Sequence, residues 1–256
     1  MTEIDQRPAA LVTGAATRLG LAFARALAMQ GFDIALHYHH SKSEAEAAID
    51  EITALGVHCE GFRCDLAGDG LNTLVDEVVE RFPALQLLIN CASAYTAAKI
   101  AETTPALLKQ QFEVNFFAPF LLSGRFASVV ERGSIINIID NKIAFQQNNY
   151  AAYLLSKKAL AELTTLSAVE FAPNIRVNGI APGVVLPGSN RTEDYIAWRV
   201  QGIPAGRQGH VSELVAALNY LLQNEFVTGQ VLYVDGGESI NQRGLNAEDY
   251  VPGSGS

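Results

Sequence analysis

Two kinds of apolar pattern alternate along the chain. Short, nearly continuous runs of aliphatic residues predict buried strands at Ala9 to Thr13, Asp33 to Tyr38, Val57 to Cys64, Leu85 to Cys91, Ser134 to Ile139, Ile175 to Ile180 and Gln230 to Val234. Helical periodicity between them predicts helices at Leu19 to Gln30, Ser43 to Leu55, Leu71 to Arg81, Pro105 to Val130, Ala151 to Phe171 and Val211 to Gln223. This alternation predicts a single α/β domain, in which a doubly wound parallel sheet of about seven strands carries helices on both faces.

The periodic pattern ends at Gly237. Residues 1–237 show no internal boundary or repeat, so we predict one domain over this range. Residues 238–256 lose the periodicity and close with PGSGS, which is typical of a partly flexible C-terminal tail.

The turn after the first strand has the composition of an anion-binding turn. Gly14 permits a tight turn and Gly20 lets the following helix approach the sheet, so that backbone amides and the positive helix end hold a pyrophosphate. Arg18 stands where a middle glycine is usual. Because a cation opposes the helix dipole at this end unless an anion lies between them, Arg18 indicates a phosphate.

The end of the second strand indicates which nicotinamide cofactor fits. An acidic residue there would bind the ribose 2′-hydroxyl and repel a 2′-phosphate. The chain instead reads His-Tyr-His-His-Ser-Lys over residues 37–42, without a carboxylate before Glu44, which favours NADP(H). Three histidines also permit a metal site, but no ligand completes it at a familiar spacing, so we predict none. His37 itself is expected to be a core histidine.

Asp65 follows the third predicted strand. It is placed either to bind the adenine edge of the cofactor or to cap the next helix. The sequence leaves both interpretations open.

Tyr153 and Lys157 form the candidate catalytic pair. They lie four residues apart in a predicted helix and therefore share one face. A phenol with a pKa of about 10 exchanges protons poorly at neutral pH unless a cation lowers that pKa, and Lys157 is expected to supply the cation. Tyr150 lacks an ammonium partner four residues on. The same spacing occurs by chance on solvated helix faces, but here it follows a buried strand that ends at Asp140.

Several segments resemble the motifs of the short-chain dehydrogenase/reductase family from Ala9 to Gly237. In family order and spacing these are Thr13 to Gly20, Asp65, Asn90 to Ser93, Asn115, Tyr153 to Lys157, Arg176 to Gly183 and Thr228 to Gly237. The resemblance implies a Rossmann-type fold, an acid/base role for Tyr153 and a proton relay supported by Asn115. It implies cofactor contacts by Gly14, Thr17, Arg18, Leu19, Gly20, His39, His40, Ser41, Asp65, Leu66, Asn90, Ala92, Ser93, Lys157, Pro182 and Gly183. Cys91 departs from the family, which usually has a second asparagine there.

The closer resemblance is to pteridine reductases and the related bacterial dihydropteridine reductases. Its four features are Arg18 in the glycine turn, the stretch from His37 to Ser41, the segment Ser93-Ala94-Tyr95, and aspartate rather than serine at position 140; Tyr150 matches a second tyrosine of that subfamily. The resemblance implies that a pterin ring stacks on Tyr95 and that Ser93 meets its polar edge. Packing of a loop is the alternative role for Tyr95.

The carboxyl at position 140 also bears on which bond the protein reduces. A carbonyl reductase needs a hydroxyl donor at this position, because an ionised carboxylate would repel a developing alkoxide. Reduction of a C=N bond instead requires protonation of nitrogen as hydride arrives, and a carboxyl group that shares a proton with Tyr153 could supply it. The sequence thus favours an NADPH-dependent reductase of a pterin-like heterocycle. A ketone or 3-oxoacyl-thioester reductase is the alternative, followed by a degenerate reductase that has lost its serine and a non-enzymatic dinucleotide sensor.

Composition narrows the possible partners. The formal net charge of −9 argues against nucleic acid, and no run reaches the roughly 18 apolar residues of a membrane helix. Three irregularly spaced cysteines and a polar N-terminus favour a cytoplasmic protein with reduced thiols. By resemblance we expect a homotetramer built on the helices at Pro105 to Val130 and Ala151 to Phe171, with Arg243 reaching a neighbouring pocket.

Overall fold

The structure is a computed structural model that describes residues 7–186, 192–241, 245, 250 and 251. The strands of this part are β1 (Ala9–Val12), β2 (Asp33–Tyr38), β3 (Cys59–Arg63), β4 (Leu85–Asn90), β5 (Gly133–Ile138), β6 (Ile175–Pro182) and β7 (Val231–Val234). The α-helices are α1 (Arg18–Ala28), α2 (Lys42–Thr53), α3 (Leu74–Arg81), α4 (Pro105–Phe112), α5 (Ala118–Val129), α6 (Ala151–Glu170), α7 (Glu193–Val200) and α8 (Val211–Gln223).

All seven strands form one parallel sheet in the order β3-β2-β1-β4-β5-β6-β7. The chain winds outward from β1 to β3, crosses back to β4 beside β1, and then winds outward in the other direction. The strand order therefore reverses between β1 and β4, and ligands of such sheets bind at the carboxyl ends of the strands near this point. The predicted doubly wound Rossmann-type sheet is confirmed.

Helices cover the sheet on both faces, as the aliphatic strands require. On one face α1, α2 and α8 pack through side chains such as Phe23, Ile52 and Leu218. On the other face α3, α5 and α6 contribute Val78, Phe126 and Ala168, among others. The buried apolar residues of β1 and β2 alternate between these two cores.

The observed helices differ from the predicted ones in three places. The predicted helix from Pro105 to Val130 contains a π-helical turn at Glu113–Phe117, which divides α4 from α5. The segment from Leu71 to Arg81 starts with a 3-10 turn at Asp69–Asn72 before α3 begins. Helix α7 was not predicted, because only Tyr195 and Arg199 of its eight residues are buried and no apolar stripe marks it.

Within the described residues no helix is both long and apolar enough to cross a membrane. Arg243 lies outside the described residues. Glu238, which the sequence analysis assigned to the tail, is fully buried in a short helical turn at Glu238–Ile240.

Candidate active site

Two adjoining cavities open at the carboxyl ends of β1, β4, β5 and β6. Their volumes of about 560 and 690 Å³ lie in the range of small-molecule sites. The larger cavity also lies beside Tyr95, Tyr150 and Tyr195. Both are lined by Arg18, Ser93, Asp140, Tyr153, Pro182, Gly183, Val185 and Leu186. The two cavities are therefore continuous. We call the smaller one the cleft and the larger one the substrate cavity.

The glycine turn at the cleft tolerates no side chain at its two glycines. Gly14 has a φ of +66°, and a Cβ there would lie 3.0 Å from the Cα of Ala92. A Cβ on Gly20 would lie 2.3 Å from the carbonyl oxygen of Gly14. The turn is thus packed directly against the start of α1 and against Ala92 in the loop after β4.

Arg18 adopts the backbone conformation of the glycine that it replaces. Its φ of +53° lies in the left-handed region, at a cost of about 1 kcal/mol for a residue with a Cβ. Its guanidinium donates a hydrogen bond to the carbonyl oxygen of Leu186 and lines both cavities. This cation lies where the cleft meets the substrate cavity, in the lining that the two share.

His37 is a core histidine, as expected. It is 2% exposed, its Nδ1 accepts a hydrogen bond of 3.1 Å from the amide of Gly14, and its Nε2 lies 3.1 Å from the carbonyl oxygen of Cys64. Burial lowers its pKa to about 4, so the ring is neutral and carries its proton on Nε2. His37 therefore fastens the glycine turn to the ends of β2 and β3.

The residues beyond β2 meet the cleft only in part. His39 and Asp65 line the cleft, with 3.7 Å between Nδ1 and Oδ1, whereas His40 and Ser41 are not in its lining. His40 stacks on His39 with 3.6 Å between ring centroids. Among the described residues no group of three or more His, Cys, Asp or Glu side chains is placed to hold a metal ion.

Asp65 is not the N-cap of the next helix. Its Oδ1 accepts a hydrogen bond of 3.0 Å from the amide of Ala67, and the following 3-10 turn is capped by Gly68. The capping alternative is therefore wrong. The carboxylate stabilises the turn after β3 and also faces the cleft beside Leu66.

Thr13 joins β1 to the loop after β4. Its Oγ1 accepts hydrogen bonds of 2.9 and 3.0 Å from the amides of Cys91 and Ala92, which both line the cleft. Burial raises the pKa of the Cys91 thiol to about 12, so this group stays neutral. Asn90 points away from both cavities and donates to the Oδ1 of Asn137 at 2.8 Å.

Asn115 lies behind the loop of Ser93 and Ala94 and outside both linings. Its Oδ1 accepts from the amide of Ala94 at 2.8 Å, and its Nδ2 donates to the carbonyl oxygen of Ala94 at 2.8 Å. The same amide group donates to the Oγ of Ser156 at 3.1 Å. The π-helical turn thus places Asn115 where it anchors the loop that carries Ser93 and Tyr95.

The hydroxyl of Tyr153 donates a hydrogen bond of 2.6 Å to Oδ2 of Asp140. The other carboxyl oxygen of Asp140 accepts from the amide of Lys142 at 2.8 Å. Burial raises the pKa of Asp140, and it raises the pKa of Tyr153 well above its usual value, with the adjacent carboxyl adding to the effect. Burial therefore favours the protonated form of both groups.

The prediction that Lys157 lowers the pKa of Tyr153 is wrong for this structure. The ammonium of Lys157 donates to the carbonyl oxygen of Ile138 at 2.8 Å and lies 5.9 Å from the centroid of the Tyr153 ring. Burial lowers the pKa of Lys157 to about 8. Desolvation of the phenol outweighs the distant cation, so Tyr153 keeps its proton in the absence of an acceptor.

Tyr95 covers one side of the substrate cavity and is about half exposed. It stacks on Tyr150 at 4.4 Å between centroids and meets the edge of the Tyr153 ring at 4.7 Å. The sequence analysis did not identify the residues that complete the cavity, namely Ala97, Asn141, Lys142, Gln147, Val184, Val185, Leu186, Tyr195 and Arg199. Val184 to Leu186 directly follow the Pro-Gly turn, a signal that could have located them.

The fold and the site define a dinucleotide-binding oxidoreductase: a glycine turn at the switch point of a parallel sheet faces a tyrosine–lysine pair across one cleft. Residues 14–239 match the family described as enoyl-(acyl carrier protein) reductase. The chain belongs to the short-chain dehydrogenase/reductase family.

Known proteins resemble the chain over most of its length. The structure of FolM alternative dihydrofolate reductase 1 from Brucella canis, complexed with NADP, is 33% identical, with a TM-score of 0.85 and coverage of 91% of this chain and 94% of that one. The corresponding protein of Brucella suis, also in complex with NADP, is 32% identical, with a TM-score of 0.87 and coverage of 91% and 95%. A 3-oxoacyl-[acyl-carrier-protein] reductase of Staphylococcus epidermidis is 28% identical over 237 residues, covering 89% of this chain and 97% of the relative.

Proposed function

We propose that this protein is an NADPH-dependent reductase that transfers hydride to a C=N bond of a pterin-like heterocycle. The observation that carries the proposal is the carboxyl of Asp140, hydrogen-bonded at 2.6 Å to Tyr153 within the substrate cavity. Most carbonyl reductions would be served better by a hydroxyl at this position, whereas a protonated carboxyl suits a nitrogen acceptor.

The cleft fits NADPH. The glycine turn lines the cleft at the start of α1, a helix end that favours a phosphate, and a Cβ at Gly14 would crowd Ala92. His39, without a competing carboxylate on its own segment, suits a 2′-phosphate. Lys157, Pro182 and Gly183 line the inner end of the cleft, where the nicotinamide end would lie. When bound there, NADPH supplies the hydride.

Tyr153 and Asp140 hold the proton. Because burial raises the pKa of both groups, each holds its proton to a higher pH than the free side chain does. Tyr153 can donate its phenolic proton to the substrate nitrogen and recover one from the carboxyl of Asp140. Lys142 keeps that carboxyl oriented through its amide, and Lys157 fixes the end of β5 through the carbonyl of Ile138.

A flat heterocycle suits the walls of the substrate cavity. Tyr95 and Tyr150 present a stacked aromatic surface beside Tyr153, and aromatic rings favour such offset contacts. Ser93 lies in the shared lining, within reach of a polar ring edge. The similarity to two Brucella alternative dihydrofolate reductases supports the same substrate class.

Reduction of a 3-oxoacyl thioester is the second candidate, because the Staphylococcus epidermidis reductase of that name is 28% identical. The direct test is NADPH oxidation with dihydrobiopterin, dihydrofolate and an acetoacetyl thioester in parallel. Turnover of a dihydropterin supports the proposal, and turnover of the thioester alone would overturn it. Tight NADPH binding without any turnover would indicate a dinucleotide sensor.

NADPH is expected to bind at least about tenfold more tightly than NADH, because a hydrogen-bond donor such as His39 attracts a 2′-phosphate more strongly than a 2′-hydroxyl. His39→Asp should narrow or reverse this preference through charge repulsion. Fluorescence titration with both cofactors measures the ratio. His58→Asp, on a histidine at the opposite end of the sheet, is the matched control and should leave the ratio unchanged. Equal or tighter binding of NADH by the unaltered protein would refute the preference.

The homotetramer expected by resemblance to the family would use apolar surface on α5 and α6. Phe120, Leu121 and Leu166 are large side chains that remain at least 47% exposed on these helices. Exposed apolar patches of this kind mark protein interfaces. Light scattering should give about four times the 27.5 kDa of one chain, and Phe120→Glu should lower that mass. A monomeric mass for the unaltered protein contradicts the expectation; Met29→Glu, on α1's exposed end, is the control.

A further inference from the structure

Glu238 is a fully buried carboxylate behind one wall of the substrate cavity. Its Oε1 accepts hydrogen bonds from Nη2 of Arg199 at 2.5 Å and from Nζ of Lys142 at 3.2 Å. Its Oε2 accepts from Nδ2 of Asn141 at 2.9 Å. Arg199, Lys142 and Asn141 all line the cavity. A carboxylate withdrawn from water in this way is stabilised by the donors that surround it.

The segment after β7 fixes the direction of this carboxylate. Gly237 adopts a φ of +88°, a left-handed conformation that suits glycine. Asp235 accepts hydrogen bonds from the amides of Gly237 at 3.0 Å and Ser239 at 2.7 Å. Both ends of the turn are therefore held, and Glu238 is directed inward rather than free to rotate toward solvent.

The contacts of Glu238 lead directly to the proton-delivery pair. Lys142 stands two positions after Asp140, and its amide donates to Oδ1 of Asp140 at 2.8 Å, while Oδ2 accepts from Tyr153. By holding Lys142 and Asn141, Glu238 fixes the turn that aims the carboxyl of Asp140. We infer that Glu238 is a positioning residue that sets both the geometry and the protonation of Asp140, an inference that rests on the proposed function.

The electrostatic part of this role follows from the charges around Asp140. The titratable groups that face it or line its cavity are Tyr153, Lys157 and Tyr150 at α6, Lys142 in its own turn, Arg18 at the start of α1, Tyr95 after β4, and Tyr195 and Arg199 on α7, with Glu238 and Asp235 behind them. The cations Lys157 and Lys142 oppose the effect of burial on the pKa of Asp140. Because Glu238 pairs with Lys142 and Arg199, it weakens the positive potential at the carboxyl.

The experiment measures the protonation of Asp140 directly in the full-length chain without added cofactor. Protein labelled with ¹³C at the aspartate carboxyls is titrated by NMR, and Asp140→Asn identifies the resonance. Glu238→Gln leaves Lys142 uncompensated and should lower the pKa of Asp140 by about one unit. Lys142→Met removes a cation and should raise it, and the double variant should return close to the original value. Two single variants that shift the pKa in the same direction, or an unchanged pKa in Glu238→Gln, would overturn the inference.

Lys142→Met keeps the inference testable if Glu238→Gln fails to fold. Lys142 is 13% exposed, and its removal leaves the buried pair of Glu238 and Arg199 intact. Glu51→Gln is the control for loss of a carboxylate, because Glu51 pairs with Arg25 on the surface far from the cavity. It should leave the pKa of Asp140 unchanged.

Activity provides the second readout. If a dihydropterin is reduced, Glu238→Gln should lower kcat by about tenfold with little change in NADPH affinity. The decline of kcat at high pH should also begin at lower pH, since Asp140 loses its proton earlier. Opposite NMR shifts in a protein that reduces no pterin would refute the proposed substrate while leaving the role of Glu238 in place.

Discussion

Tyr153→Phe is expected to remove nearly all turnover while NADPH binds almost as before. The phenylalanine ring keeps the edge contact with Tyr95, but it loses the hydroxyl that reaches Asp140 and the substrate cavity. Loss of a positioned acid lowers rates by a factor of about 10² to 10⁴. Steady-state kinetics and fluorescence titration of NADPH separate the two effects, since only the first should change.

Two comparisons sharpen this result. Lys157→Ala should weaken both turnover and NADPH binding, because the ammonium lines the cleft and also fixes the end of β5. Tyr220→Phe removes a phenol from the exposed face of α8 and should change neither. If Tyr153→Phe keeps most of its activity, the catalytic assignment is wrong.

The fold could be predicted because most strands are short apolar runs that alternate with segments of helical periodicity. The strand from Asp33 to Tyr38 and the helix from Val211 to Gln223 have the predicted bounds. Helix α7 escaped prediction because its stability comes from local capping and a few contacts: Thr192 caps it, and Arg199 reaches the distant Glu238. Hydrophobic periodicity reflects burial against a large core, and only two residues of α7 are buried.

The residues of the site also differ in how far the sequence could predict them. Gly14, Asp140 and Pro182 lie at strand ends, so sequence position alone brings them to one edge of the sheet. Glu238 could not be found in this way, because its partners Arg199 and Lys142 lie 39 and 96 positions away in the sequence. A carboxylate after a Gly-Gly turn is typical of a solvated loop until the packing shows otherwise.

The expectation that Lys157 lowers the pKa of Tyr153 was wrong for a related reason. Helical spacing places Tyr153 and Lys157 on one face, but it does not report the direction of either polar group or the depth of burial. Lys157 donates to the carbonyl of Ile138, and burial dominates the pKa of Tyr153. The acid that the sequence analysis expected to be tuned by a cation is governed instead by desolvation and by Asp140.

Asp140→Asn is expected to lower dihydropterin reduction by a factor of about 10² to 10⁴ while the cofactor still binds. Asparagine keeps the shape and an oxygen for the amide of Lys142, but its NH2 group is not acidic and cannot pass a proton to Tyr153. In the unaltered protein, burial raises the pKa of Asp140, so the proton is present at pH values below that raised pKa and activity declines as pH rises through it. The variant should lose this decline along with the rate.

Asp140→Ser separates the two candidate substrate classes. Serine restores the hydroxyl donor that suits a carbonyl oxygen, but it cannot supply a carboxylic proton to a ring nitrogen. Activity toward a ketone or thioester should therefore recover relative to activity toward a dihydropterin, and the ratio of the two kcat/KM values is the quantity to measure. Because both activities are measured on the same preparation, a general loss of stability lowers them together and leaves the ratio untouched. An unchanged ratio would show that the carboxyl is not matched to C=N chemistry, and the 3-oxoacyl reductase proposal would then take precedence.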